Sequence, residues 1–228
     1  MTQCYMCNSD GVSKEHVPPL CIFPESKDLP PGINYRKNLI IVPACKEHNL
    51  KKSSNDEYLL FVTVSNWNTN DIGLRQWRTK VLRAIAKRNS KLKIFNNLRP
   101  VRVDNKLTGA FDLDIDRFSN EMDMVSRGIF FHHFGKQWFG SFDISSPAAI
   151  KTTEPDPSRY NERVVLLTDM ISKKLEQEPI RGENPEVFKY RYQYGFEENE
   201  YYFILQMVFY EYFIVSSSSP SHRKKGTK

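Results

Sequence analysis

The sequence predicts an α+β protein: a small, metal-stapled N-terminal module, then a larger body of helices and antiparallel sheet. Three observations point there. All four cysteines, Cys4, Cys7, Cys21 and Cys45, fall within the first 45 residues, among the proline clusters HVPP and DLPPGIN. Residues 71–92 repeat apolar positions at helical spacing. Near the end, FKYRYQY alternates aromatic and polar residues as a half-buried strand does.

Taken in order, residues 1–68 form the module, 69–215 the accessory α+β domain and 216–228 a disordered basic tail. Proline and glycine at the density seen before residue 44 favour short strands and turns over long helices. NLIIVPAC reads as the best strand of the module, ACKEHNLKKSS as the start of a short helix. SSNDEYLLFVTVSNW follows as a helix, with capping residues at Ser53–Asp56 and a buried face at Tyr58, Leu59 and Val62. In DIGLRQWRTKVLRAIAKRNSKL, Leu74, Trp77, Val81 and Ile85 face the core. A second helix covers 116–134 with Phe118, Met122, Val125 and Ile129 on one side, QWFGSFDI reads as a strand, and NERVVLLTDMISKKLEQ as a third helix. A final hairpin turns at GFEENE, with an almost wholly apolar return strand.

Composition narrows the function classes. Fifteen Phe and eleven Tyr in 228 residues supply a real core. No apolar run is long enough to cross a membrane, and MTQCYMCNSD has neither the basic nor the apolar part of a secretory signal. A soluble, cytoplasmic protein is the expectation, and in a reducing compartment a close cysteine pair reads as a metal site rather than a disulfide. The net charge of +6 favours a polyanionic partner, nucleic acid first.

Cys4 and Cys7 have C-x2-C spacing, and Cys45 and His48 in CKEH repeat it. Together they make a Cys3His set for structural Zn2+, which would hold together a module with little core of its own. Cys21 is the alternative fourth ligand but has no partner at knuckle spacing. Four idle thiols are the bland reading, and two independent pairs speak against it.

Between these halves lie Glu15-His16, then Asn38 in KNLIIV, then Asn49 directly after His48. The ordered pattern C-x2-C, acid-His-x-x-Pro, Asn-Leu, Cys-x2-His-Asn-x2-Lys-Ser resembles the HNH endonucleases over about the first quarter of the chain. That resemblance implies a ββα-metal fold and metal-dependent hydrolysis of DNA. His16 would be the general base, Glu15 and Asn49 the oxygen ligands of a catalytic Mg2+ or Mn2+, and Asn38 a support tying the base's loop to the next strand. Lys52 matches the family's terminal lysine and would contact phosphate or stay solvated. The sequence departs from the usual pattern with Glu15 for aspartate, His48 for the last zinc cysteine and Asn49 for histidine. Its stand-alone architecture resembles bacterial defence (anti-phage) or mobile-element nucleases, in which a second domain or partner protein restrains cutting.

The chemistry of these residue types agrees. An imidazole titrates near neutral pH and can take a proton from water, and Mg2+ prefers hard oxygens. One geometric objection stands: neighbours on a regular strand face opposite ways, so Glu15 and His16 converge only if Pro18 and Pro19 make the backbone there irregular. The bland reading of the pair is a surface acid beside a zinc-ligand histidine.

Arg75, Arg78, Arg83, Lys87, Arg88 and Lys91 form a candidate track for DNA phosphates, the rival being a solvated helix face. His132-His133 reads as one packed and one exposed ring, and the aromatic hairpin as sheet core before base-stacking surface. The resemblance also covers SRGIFFHHFG, similar to segments downstream of the nuclease core in some bacterial HNH proteins. The competing function is a non-catalytic zinc-dependent nucleic-acid-binding or regulatory scaffold protein. A double-strand cut would favour a homodimer, since one such site serves one strand at a time.

Overall fold

The computed structural model describes residues 2–50, 53–86, 99–103, 106–151, 156–197 and 199–219. Among them the protein is a mixed α+β structure with antiparallel sheets, and no helix is long and apolar enough to cross a membrane.

A hairpin opens it. Strand β1 (Ser13–Val17) pairs antiparallel with β2 (Ile40–Ala44), in unbroken register from Ser13↔Ala44 to Val17↔Ile40. Helix α1 (Lys46–Leu50) follows directly. Helix α2 (Ser53–Val64) departs from the expected single apolar face: Tyr58, Leu59, Leu60, Phe61, Val62, Thr63 and Val64 are all buried, so its C-terminal half is enclosed on every side, while Glu57 before it is exposed. Thr63 is accommodated because its hydroxyl donates to the Leu59 carbonyl at 2.9 Å.

The expected basic helix runs unbroken over its described residues 71–86, as α3 (Asp71–Gln76), a π-helical turn (Trp77–Val81) and α4 (Leu82–Ala86). Asn70 caps α3 by accepting the Gly73 amide at 3.0 Å. Gly73 sits against Tyr210, where an added Cβ would meet the ring at 3.1 Å. The π turn brings Trp77 to Phe61, with ring centroids 5.5 Å apart, and buries Val81.

A hairpin not expected from the sequence, β3 (Arg99–Val103) with β4 (Lys106–Ala110), precedes the 20-residue α5 (Ile115–Phe134). Asp114 caps α5 and Gly135 ends it in the left-handed region at φ 64°. The predicted face, Phe118, Met122, Val125 and Ile129, is buried. At Gly128 an added Cβ would meet Val17 at 2.5 Å, so this glycine lets α5 close on β1.

The main sheet has five antiparallel strands in the order β5 (Asp143–Ser145), β9 (Phe213–Ser218), β8 (Glu200–Phe209), β7 (Phe188–Glu197), β6 (Arg181–Asn184). Helix α6 (Pro157–Lys174) turns Val164, Thr168 and Ile171 inward. Four expectations need correction. QWFGSFDI is strand only from Asp143, the upstream residues being loop. The turn between β7 and β8 is tighter than GFEENE, since Gly195–Glu197 stay paired with Glu200–Tyr202. The apolar return run is two strands, broken at Tyr210 and Glu211, whose φ values are 47° and 68°. For the same reason the tail does not begin at 216: Ser216–Ser218 belong to β9, and residues from 220 lie outside the described ones.

One continuous apolar cluster runs from Cys4, Tyr5, Val17 and Val42 through Phe61, Ile129 and Phe130 to Phe203 and Val215. Hairpin β1–β2 is therefore packed into the same core as the main sheet.

Candidate functional site

Residues 2–11 fold back on themselves, Cys4 N–H donating to the Ser9 carbonyl and Gly11 N–H to that of Thr2, both at 2.8 Å. Tyr5 N–H donates to the Pro43 carbonyl at 2.8 Å, which lays this knuckle against the end of β2. Cys45 stands just before α1 and His48 one turn into it, so both face the knuckle.

The four ligand atoms of Cys4, Cys7, Cys45 and His48 all lie within 4.8 Å of one another. His48 Nδ1 is 3.6 Å from Cys4 Sγ, 3.6 Å from Cys7 Sγ and 3.2 Å from Cys45 Sγ, and Cys7 and Cys45 sulfurs are 3.9 Å apart. A tetrahedron with zinc's usual bond lengths has edges of about 3.8 Å between sulfurs and about 3.6 Å from sulfur to nitrogen. The cluster fits a tetrahedral thiolate-imidazole ion such as zinc. Met6 N–H points at Cys4 Sγ at 3.4 Å. Burial raises the Cys4 thiol, while the Ser9 backbone amide holds Cys7 below its ordinary value. Cys21 takes no part: its thiol donates to the Asp56 carbonyl at 3.1 Å, and burial pushes its pKa up to about 12.

Gln137, from the loop after α5, donates to the carbonyls of both Cys4 and Cys7 at 2.6 Å. Nothing in the sequence links position 137 to the cysteines. Ser13 is the second residue that sequence reasoning missed. Asn49 Nδ2 donates to Ser13 Oγ at 2.8 Å and, at 3.4 Å, to the Lys14 carbonyl, while Ser13 Oγ donates to the Ala44 carbonyl at 2.9 Å. That chain fastens α1 to both strands of the hairpin and commits the amide nitrogen of Asn49.

Glu15 and His16 lie on β1, whose register with β2 is regular through Val17. The irregularity expected from Pro18 and Pro19 does not reach them. Glu15 is 7% exposed, on the side of Val17, and the half-exposed His16 is on the side of Lys14 and opposite Ile41. Burial, with the Arg36 guanidinium nearby, lowers the His16 pKa, so its imidazole is neutral at neutral pH. Arg36 is held by two bonds to the Phe23 carbonyl, at 3.1 and 3.0 Å. Asn38 enters β2 in the left-handed region at φ 52°, and among the described residues no hydrogen bond carries its side chain to the loop of His16. It lines a separate cleft.

Of the basic track, Arg75 and Arg78 are exposed. Arg83 is engaged, making a bidentate pair with Asp28 at 2.7 and 2.6 Å. Lys52, Lys87, Arg88 and Lys91 lie outside the described residues. His132 is exposed and His133 packed, its Nε2 2.9 Å from Tyr190 Oη. The aromatic hairpin is core at Phe188, Tyr190, Phe203 and Phe209, and exposed only at its outer end. Compared with known proteins, the chain matches no family model, no curated protein and no solved structure.

Proposed function

We propose that the protein is a metal-dependent nuclease that hydrolyses DNA phosphodiester bonds on β1 and α1. The observation that carries this reading is the Asn49–Ser13 bond. It places an amide with a committed nitrogen beside the strand of Glu15 and His16, leaving Oδ1 as its acceptor. Glu15 carboxylate and Asn49 Oδ1 would hold a Mg2+ or Mn2+ ion, being hard oxygens of the kind such a cation prefers. Such a cation supplies charge neutralisation on the phosphate and the departing oxygen.

The chain's own part is proton transfer and placement. Neutral His16 takes a proton from water as its oxygen bonds to phosphorus, the P–O3′ bond breaks, and the 3′ oxygen is protonated from solvent. A 5′-phosphate and a 3′-hydroxyl remain. Glu15 and His16 serve one phosphate only if it lies along the edge of β1, which has β2 as its one strand partner among the described residues. The Cys3His ion is structural and enters no step, and Arg75 and Arg78 supply sequence-independent backbone contacts.

A second reading, a non-catalytic zinc-dependent nucleic-acid-binding or regulatory scaffold, is favoured by the opposite facing of Glu15 and His16. Incubating plasmid with protein plus Mg2+ or Mn2+, with an EDTA control, separates the two. A nuclease cuts, and His16→Ala lowers the rate about a hundredfold or more while DNA binding persists. Equal cutting by wild type and His16→Ala would end the assignment.

A further inference from the structure

A cleft of about 480 Å3 opens between the far end of the β1–β2 hairpin, the C-terminal end of α5 and strand β6. Its volume is that of a small-molecule site, and its walls are of three kinds. Phe23, Phe188, Val17 and Ile40 make an apolar floor, Asn38 and Asn184 offer amide groups, and Arg181 and Glu183, two apart on β6, supply one charge of each sign. Asn184 is fixed by donating Nδ2 to the Lys37 carbonyl at 3.3 Å.

Arg181 is the group that asks for a ligand. Its Nε is buried and meets no acceptor among the described residues, while the guanidinium lies 4.8 Å from the centre of the Tyr192 ring. That nitrogen is closed off from the cleft, so a ligand there would meet the outer guanidinium nitrogens, for which no protein acceptor is present among the described residues. The guanidinium is shaped for carboxylate or phosphate. Glu183 in the same cleft opposes a second negative group. Apolar side chains beside two amide side chains suit a ring system with a hydrogen-bonding edge.

We propose that this cleft binds a nucleoside monophosphate, its one phosphate on Arg181, its base between the apolar floor and the amides of Asn38 and Asn184. The site is separate from the Cys3His cluster, and its test is a binding measurement that stands whether or not the protein cuts DNA.

Calorimetric titration of the full chain with AMP, GMP, CMP and UMP should show at least one binding below about 1 mM. The matching triphosphate, the free nucleoside and inorganic phosphate should each bind more weakly. Arg181→Met should weaken the nucleotide about tenfold or more, and Glu183→Gln, at an exposed position, should tighten it. Absence of binding by all four, or inorganic phosphate binding as tightly as the nucleotide, overturns the proposal. So does unchanged affinity in an Arg181→Met protein with a native melt. If that variant loses its cooperative melt, Glu183→Gln decides, and unchanged affinity there counts against the site.

Discussion

His133 packs its ring against Tyr192, with centroids 4.6 Å apart, and burial, helped by His132 and Arg181, brings its pKa down to about 4. In the unfolded chain the same group titrates near 6.5. Between those values the native state binds fewer protons than the unfolded one, so stability rises with pH there. The contribution is complete above about 6.5 and is lost as pH falls toward about 4. Melting temperature should therefore drop between about pH 7 and about pH 5, and His133→Gln should make the drop shallower. An identical slope in the variant would mean that the proton goes elsewhere; His16, lowered by burial, would contribute with the same sign. The sequence showed the pair of histidines among aromatics but not which was packed. That depends on Tyr190 and Tyr192 arriving from a strand more than fifty residues away, a placement without local signal.

At the level of elements, the basic segment divides by what each side chain already holds. Asp28 has only 6% of its side chain exposed and depends on Arg83, which holds its carboxyl below the usual range. Removing Arg83 leaves a buried carboxylate unpaired. Arg75→Ala and Arg78→Ala should each weaken DNA binding and reduce its salt dependence with little change in melting temperature. Arg83→Ala should do the reverse. Filter binding over a salt series, with thermal melts of the same variants, checks both halves, and equal loss of affinity in all three would contradict this division. Helical spacing gave α5 nearly to the residue, because a 20-residue helix with one apolar face has a strong period. It failed to divide β8 from β9 because the turn at Tyr210 and Glu211 uses two positive-φ residues with no glycine, proline or asparagine to announce it. Tyr210 is held there from outside, its hydroxyl donating to the Ile22 carbonyl at 2.5 Å.

For the whole molecule, the ligand set was the most legible feature. Two C-x2-[CH] pairs are a local spacing, and local spacing survives folding. Invisible in sequence was how closely the module joins the rest, through Val17 against Gly128 and Tyr5 within the common core. Chelation, or Cys45→Ser, should thus affect more than the first residues. Metal analysis should find one zinc per chain in the wild type and none in Cys45→Ser. Losing even about 3 kcal/mol of metal-linked stability would lower the melting temperature by roughly 6–12 °C. A metal-free protein with an unchanged melt would show that the cluster holds no structural ion.

Gln137 makes that dependence mutual. One amide group grasps both peptide oxygens of the cysteine loop, as a clasp closes a bracelet, so the sulfurs are already aimed when an ion arrives. The ordering cost of ion capture is thereby borne during folding, by a residue that never touches the ion. Gln137→Ala should keep all four ligands yet release zinc to a competing chelator at about tenfold lower chelator strength, and an unaltered competition curve would show that the loop aims itself.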